Sequence, residues 1–248
     1  MHATRVVMVV AFAAALASCD GGSDSSNAGN GTTYGFVTPV MGSQRGYSET
    51  IVDNDNNTID LSYTQAVTAV NADGSYTLVQ QDPIHKSVVV DGTTYSIQTQ
   101  LIDLDNSGQA TSYTYADAGA DNVICIYTPN GPGPNFPVMI GATWTLDYTF
   151  GCGTQAAVSY VQIGTVTDVE SVTVPAGTFN AIKLQSTVTW TDAQGTMRTQ
   201  TVTNWRDVLT SISVKQNITI TYAGTPLTVG YPVSREIVLQ SLLQPNGP

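Results

Sequence analysis

Residues 157–191 read AVSYVQIGTVTDVESVTVPAGTFNAIKLQSTVTWT. Val, Ile, Tyr, Phe and Leu alternate here with Ser, Thr, Gln, Asp and Lys. Each arm therefore has one apolar face at the strand period of two. β-Branched and aromatic residues fill both arms, which suits a pleated surface. Pro175-Ala176-Gly177 divides them: Pro fixes one backbone angle and Gly supplies the freedom to turn back. The stretch is a long β-hairpin.

The same grammar extends in both directions. Strands are predicted over 48–52, 58–70, 75–80, 86–90, 93–102, 109–115, 122–128, 143–150, 196–205, 210–222 and 233–243, beside the two arms at 157–174 and 178–191. Asn71-Ala72-Asp73-Gly74, Asp91-Gly92, Asp192-Ala193-Gln194-Gly195 and Ala223-Gly224-Thr225-Pro226 supply turns. Beyond the N-terminus no window carries a helical period. The expected fold is all-β: an antiparallel meander over 33–245, arranged as an open half-barrel or as a β-sandwich. Pro39-Val40-Met41-Gly42 recurs as Pro137-Val138-Met139-Ile140-Gly141, and Tyr63-Thr64-Gln65 as Tyr160-Val161-Gln162, both at a spacing of roughly 100 residues. That spacing fits two duplicated halves, 33–130 and 131–245. Strands that resemble one another only through shared Thr and Val are the plain alternative.

Composition narrows the function. The chain has 248 residues, 11% of them charged, with 8 Lys+Arg against 19 Asp+Glu and a net charge of −11. A nucleic-acid binder needs clustered cations, so that class is excluded. Two His and 3 Cys leave little for His-dependent catalysis or a dense metal site. Neither an enzyme nor a cofactor is expected.

The N-terminus speaks to location. Arg5 precedes an apolar run from Val6 to Leu16 that is too short to span a bilayer and fits the core of a secretory signal peptide. The run ends in Leu16-Ala17-Ser18-Cys19, which resembles the lipobox of bacterial lipoproteins. The resemblance implies cleavage after Ser18, so that 1–18 is a signal peptide, and a diacylglycerol on the Cys19 thiol. Residues 19–32 are Gly, Ser, Asn, Asp, Ala and Thr after the Cys, and read as a flexible tether. An ordinary signal peptide with an incidental Cys is the other reading of these residues.

Export places the two remaining cysteines in an oxidising compartment. Cys125 and Cys152 have their midpoint between Val138 and Met139, beside the turn-rich Pro129-Asn130-Gly131-Pro132-Gly133-Pro134-Asn135-Phe136-Pro137. A hairpin centred there sets them opposite each other as a disulfide; two buried free thiols are the alternative.

Val172-Thr173-Val174-Pro175-Ala176-Gly177-Thr178-Phe179 resembles the VPAGTF-type hairpin of bacterial lipoproteins, and Gly141-Ala142-Thr143-Trp144 resembles the G-x-x-W strand that precedes it there. Trp205-Arg206-Asp207-Val208 departs from the W-Y-A-P-G-x-G strand that follows it there. The resemblance covers about 137–221. It implies a periplasmic β domain like the open half-barrels of lipoprotein carriers, where a curved sheet shields an apolar cleft. Trp144, Phe179, Ile182 and Trp190 are the candidates to line such a cleft.

The expectation is a lipid-anchored envelope protein facing the periplasm, on the inner or the outer membrane. Its partners would be the membrane, through the anchor, and either an apolar ligand or another envelope protein, with a structural or protein-interaction role as the alternative. Other groups read more simply. Asp103-Leu104-Asp105-Asn106-Ser107-Gly108 has alternating oxygen ligands as a calcium loop does, but Thr114 stands at its twelfth position. It and Asp53-Asn54-Asp55-Asn56-Asn57 suit ordinary turns, so no metal is expected. His85 lies in a loop, Asp168 and Glu170 form a carboxylate pair along one strand, and Trp205 shares a hairpin with Trp190 as a platform for a sugar.

Overall fold

Alternation along the chain becomes alternation across a wall. The computed structural model describes residues 31–81, 88–90, 93–95, 99–116, 122–192, 195–223 and 232–245, with backbone alone at 88–90 and 93–95. Cys19, the signal peptide and His85 lie outside the described residues. Within the described residues every regular element is a strand. In order these are β1 (Gln44–Asp53), β2 (Thr58–Val70), β3 (Tyr76–Gln81), β4 (Val88–Val90), β5 (Thr93–Tyr95), β6 (Thr99–Leu104) and β7 (Ala110–Ala116). There follow β8 (Val123–Thr128), β9 (Thr143–Cys152), β10 (Val158–Val174), β11 (Gly177–Thr191), β12 (Met197–Asp207), β13 (Ser213–Tyr222) and β14 (Pro232–Leu243).

The all-β antiparallel meander is what folds, and it closes. The sheet runs β1-β14-β13-β12-β11-β10-β9-β8-β7-β6-β3-β2, and β1 pairs with both β2 and β14. Gln44 faces Leu243 and Tyr47 faces Leu239 in the closing seam. The open half-barrel and the sandwich are therefore replaced by a closed barrel, which leaves no edge of the wall unpaired. The run predicted over 93–102 divides: β5 pairs with β4 in a separate two-stranded sheet, and β6 joins the wall against β3.

Inward positions are mostly apolar, with several Gln, Glu49, Arg206 and Arg235 among them, and outward ones mostly polar, with Ile124, Ile126, Val161 and Ile163 exposed on β8 and β10. In β9, Trp144, Leu146, Tyr148, Phe150 and Cys152 are buried while Thr143, Thr145, Asp147 and Thr149 face outward. A transmembrane barrel has the opposite polarity, with an apolar outer band. The interior is filled in three packed clusters. One joins Val67, Tyr76, Ile102, Tyr113, Tyr127, Tyr148 and their neighbours; a second joins Tyr47, Val202, Ile218, Ile237 and Leu239; a third joins Val138, Trp144, Val166, Ile182 and Leu184.

The strand directions give the barrel two ends. The connections 70–76, 104–110, 128–143, 174–177 and 207–213 share the lower end. The N-terminal segment crosses it: Tyr34 exchanges both backbone hydrogen bonds with Val138, and the Val37 N–H donates to Ser211 Oγ. Phe36 lies 5.7 Å from the Phe136 ring and covers Gly108. Gly108 has φ 79°, and a Cβ there would lie 2.2 Å from the Phe36 ring. Gly108→Ala is therefore expected to cost about 2–4 kcal/mol, from left-handed strain plus displacement of the ring. A urea unfolding midpoint equal to that of the parent would contradict this seat for Phe36.

Two turns at this end are built alike. The Gly42 N–H donates to Val67 O and the Gly141 N–H to Val166 O, while Val67 and Val166 donate back to Ser43 and Ala142. Each Val sits at a register shift, between Val67 and Ala69 on β2 and between Val166 and Asp168 on β10.

Candidate functional site

What the interior can hold depends on which inward groups it leaves unsatisfied. The first cluster carries a chain of aromatic rings. Tyr113 lies 5.7 Å from Tyr127, Tyr127 lies 5.8 Å from Tyr148, Tyr148 stacks on Tyr160 at 5.0 Å, and Tyr160 meets Trp190 at 5.6 Å. Period-two spacing on β8, β9 and β10 places these rings on the inner face. Burial pushes the Tyr160 phenol up to about 12 and the Tyr127 and Tyr148 phenols higher, so all three stay protonated donors near neutral pH. The Tyr127 and Tyr148 hydroxyls are buried with no hydrogen-bond partner among the described residues.

A row of glutamines continues round the wall from β7. Gln65, Gln80 and Gln100 are direct neighbours on β2, β3 and β6, and Gln65 Nε2 donates to Gln80 Oε1 at 2.8 Å. Gln100 is 1% exposed, and its Nε2 has no acceptor among the described residues. An unmet buried donor costs about 1–3 kcal/mol. Such a lining suits a guest that carries acceptors better than a purely apolar one.

The structure joins two of the four cleft candidates and separates the others. Trp144 lies over Gly164, where a Cβ would come within 2.1 Å of the indole, and its Nε1 donates to Gln162 Oε1 at 3.2 Å. Ile182 is in the same third cluster. Phe179 packs against the second cluster and Trp190 against the first. Cys125 and Cys152 form a disulfide, directly opposite in the register of β8 and β9, so the shared midpoint located the bond.

The turn-like carboxylates serve as turns. Asp105 Oδ1 accepts the Ser107 and Gln109 N–H groups and its Oδ2 accepts Asn130 Nδ2, while Asp103 takes the Thr77 and Ser112 hydroxyls. Asp53 accepts the N–H groups of Asp55 and Asn57 and the Asn57 amide, which holds its carboxyl below the usual range. Among the described residues no group of three or more His, Cys, Asp or Glu is placed to hold a metal.

Asp168 and Glu170 do not act as a pair. Asp168 Oδ1 accepts the Val169 N–H, and Glu170 accepts the Trp205 indole N–H and contacts Lys183 at 3.3 Å. The Trp205 hydrogen bond, with Lys183 behind it, holds the Glu170 carboxyl below its ordinary value. Glycosidic general acids need the opposite shift. Trp205 stands on the outer wall between Lys183 and Lys215, at 5.4 and 5.9 Å, away from Trp190.

One interior feature escaped the sequence reading. Arg235 Nε and Nη2 meet Glu49 Oε1 at 2.5 Å, with the two side chains 5% and 3% exposed. The signal was available: Glu49 alternates in phase with Tyr47 and Ile51, and Arg235 with Ile237 and Leu239.

No protein-family model matches the chain, and no curated protein matches it. Among solved structures the chain is similar to an exported protein of Bacteroides fragilis with a YmcC-like fold, at a TM-score of 0.49 and 12% identity over 86% of this chain and 100% of that one. It is also similar to a lipoprotein of Parabacteroides distasonis, at 0.44 and 12% over 85% and 99%. The lipoprotein YmcC of Escherichia coli follows at 0.38 and 12%, over 80% and 87%. At these identities and scores nothing about activity passes from them to this chain.

Proposed function

We propose that this chain is a lipid-anchored protein of the bacterial cell envelope that acts without catalysis, as a structural or interaction module whose barrel is a filled scaffold. The observation that carries this reading is the interior itself. Trp144 and Ile182 are buried in one packed cluster, while the partly buried Phe179 and Trp190 pack against two others, which supports reading these side chains as core. Anchoring rests on Leu16-Ala17-Ser18-Cys19 and the polar stretch after it. A second reading, a small guest beside the aromatic chain, is favoured by the unmet donors of Tyr127, Tyr148 and Gln100.

Cys19→Ser is expected to accumulate as an uncleaved precursor and to lose palmitate labelling in cells. Labelling that persists would overturn the anchor. Mass spectrometry of small molecules retained by purified protein separates the two readings: a stoichiometric guest supports the second, and its absence supports the filled scaffold.

A further inference from the structure

We propose that the lower end of the barrel docks on the lipid surface, with the 39–42 and 138–141 turns dipping into the headgroup layer. This rests on the anchored reading above and adds an orientation to it.

Four observations lead there. First, exposed apolar side chains are present on the connections of this end, besides Ile59, Ile124, Ile126, Val161, Ile163 and Met197 on the strands. Met41 is 63% exposed, Ile140 53%, Leu209 76% and Leu243 62%, with Val40 and Met139 beside them on the two turns. Second, the N-terminal segment, which follows the tether, crosses this same end through Tyr34, Phe36 and Val37. By composition, a Gly- and Ser-rich stretch of the length of 19–32 has a root-mean-square reach of about 20 Å. Acylation at Cys19 therefore holds this end, and not the other, close to the bilayer at high effective concentration.

Third, charge avoids it. Neither 31–43 nor 128–143 contains a Lys, Arg, Asp or Glu, in a chain with a net charge of −11. The acids on the other connections at this end are engaged: Asp73 accepts the Ser75 N–H and hydroxyl, Asp105 closes its own turn, and Asp207 is buried. The opposite end carries Asp53, Asp55 and Asp192, with Asp53 likewise bonded in its own turn and Asp192 paired with Arg198, so the ends differ in these uncharged segments and not in their acids. The two uncharged turns can approach lipid without desolvating a charge. Fourth, the two turns are rigid. Their Gly42 and Gly141 amides are bonded to Val67 and Val166, so Met41 and Ile140 are presented without an ordering cost at binding. Apolar side chains held this way insert about 5–10 Å into the headgroup and acyl boundary.

The test uses acylated protein on phosphatidylcholine vesicles with brominated acyl chains. Trp reporters are placed at Met41→Trp on the lower end and Gln155→Trp on the upper. Co-flotation is measured first. The expected result is flotation of both, with the Met41→Trp emission component quenched roughly twofold and the Gln155→Trp component unchanged. Adding Ile140→Asp on the other turn is expected to reverse much of the Met41→Trp quenching, because the turns enter together. Protein that floats with both reporters unquenched overturns docking and leaves the anchor standing. Quenching unaffected by Ile140→Asp reduces the result to partitioning of the reporter and overturns docking of the end as a unit. Protein that does not float overturns the anchor and the docking with it. Self-association that protects Met41→Trp in the absence of vesicles assigns this end to a second copy instead and overturns the lipid proposal.

Discussion

Glu49→Ala is expected to destabilise the barrel by about 3–5 kcal/mol, because it removes the buried carboxylate that the Arg235 guanidinium meets. For a chain of this size that lowers the thermal midpoint on the order of 10 °C. The pair itself is not the source of that much stability. Its two charges were taken out of water at a cost that their attraction roughly offsets, so Glu49→Met with Arg235→Met is expected to recover most of the loss. Thermal and urea unfolding of the single and double variants measure both numbers. A single variant as stable as the parent would mean that water reaches Arg235, against its 5% exposure.

Removing the covalent link should weigh nearly as much. Cys125 and Cys152 are separated by 27 residues, and closing such a loop in the unfolded chain contributes about 3.5 kcal/mol in the loop-entropy account. Cys125→Ala with Cys152→Ala is expected to lower the urea midpoint accordingly. Non-reducing peptide mapping of the parent should recover the two cysteines in one peptide pair. A midpoint within error of the parent would place the loop's restraint elsewhere, in the packing of the 128–143 connection.

The strands were legible because each buries one face, and a one-sided strand writes its period into the sequence. Residues 157–191 show this from end to end. The disulfide was legible for a related reason: an antiparallel pair has a fixed centre, and Cys125 and Cys152 are equidistant from it. Closure was not legible. Nothing in β1 or β14 marks them as partners, since a strand that closes a barrel looks like a strand that ends a sheet. The division of 93–102 into β5 and β6 was hidden because alternation runs through it without a break. Of the cleft candidates, Trp144 and Ile182 share a cluster, Trp190 packs beside another, and Phe179, three residues from Ile182 on β11, has the opposite strand parity. Trp144 and Trp190 both belong to hairpin walls, yet they serve different clusters. Glu49 and Arg235 lie 186 residues apart, and nothing local in the sequence pairs them.

The closing seam also sets an order of events in time. β1, the first strand, waits for β14, the last, and the segment before β1 finds Val138 and Ser211 only after those residues exist. Such distant pairings make a barrel slow to complete, since the whole chain must be ordered before the final contacts stabilise it. Under the anchored reading proposed above, the chain would cross a membrane unfolded, and slow completion would keep it transportable until it had crossed. Completion then acts as a proofreading step. A chain that stops short of β14 keeps two open strand edges, the feature by which proteases and aggregation remove unfinished products.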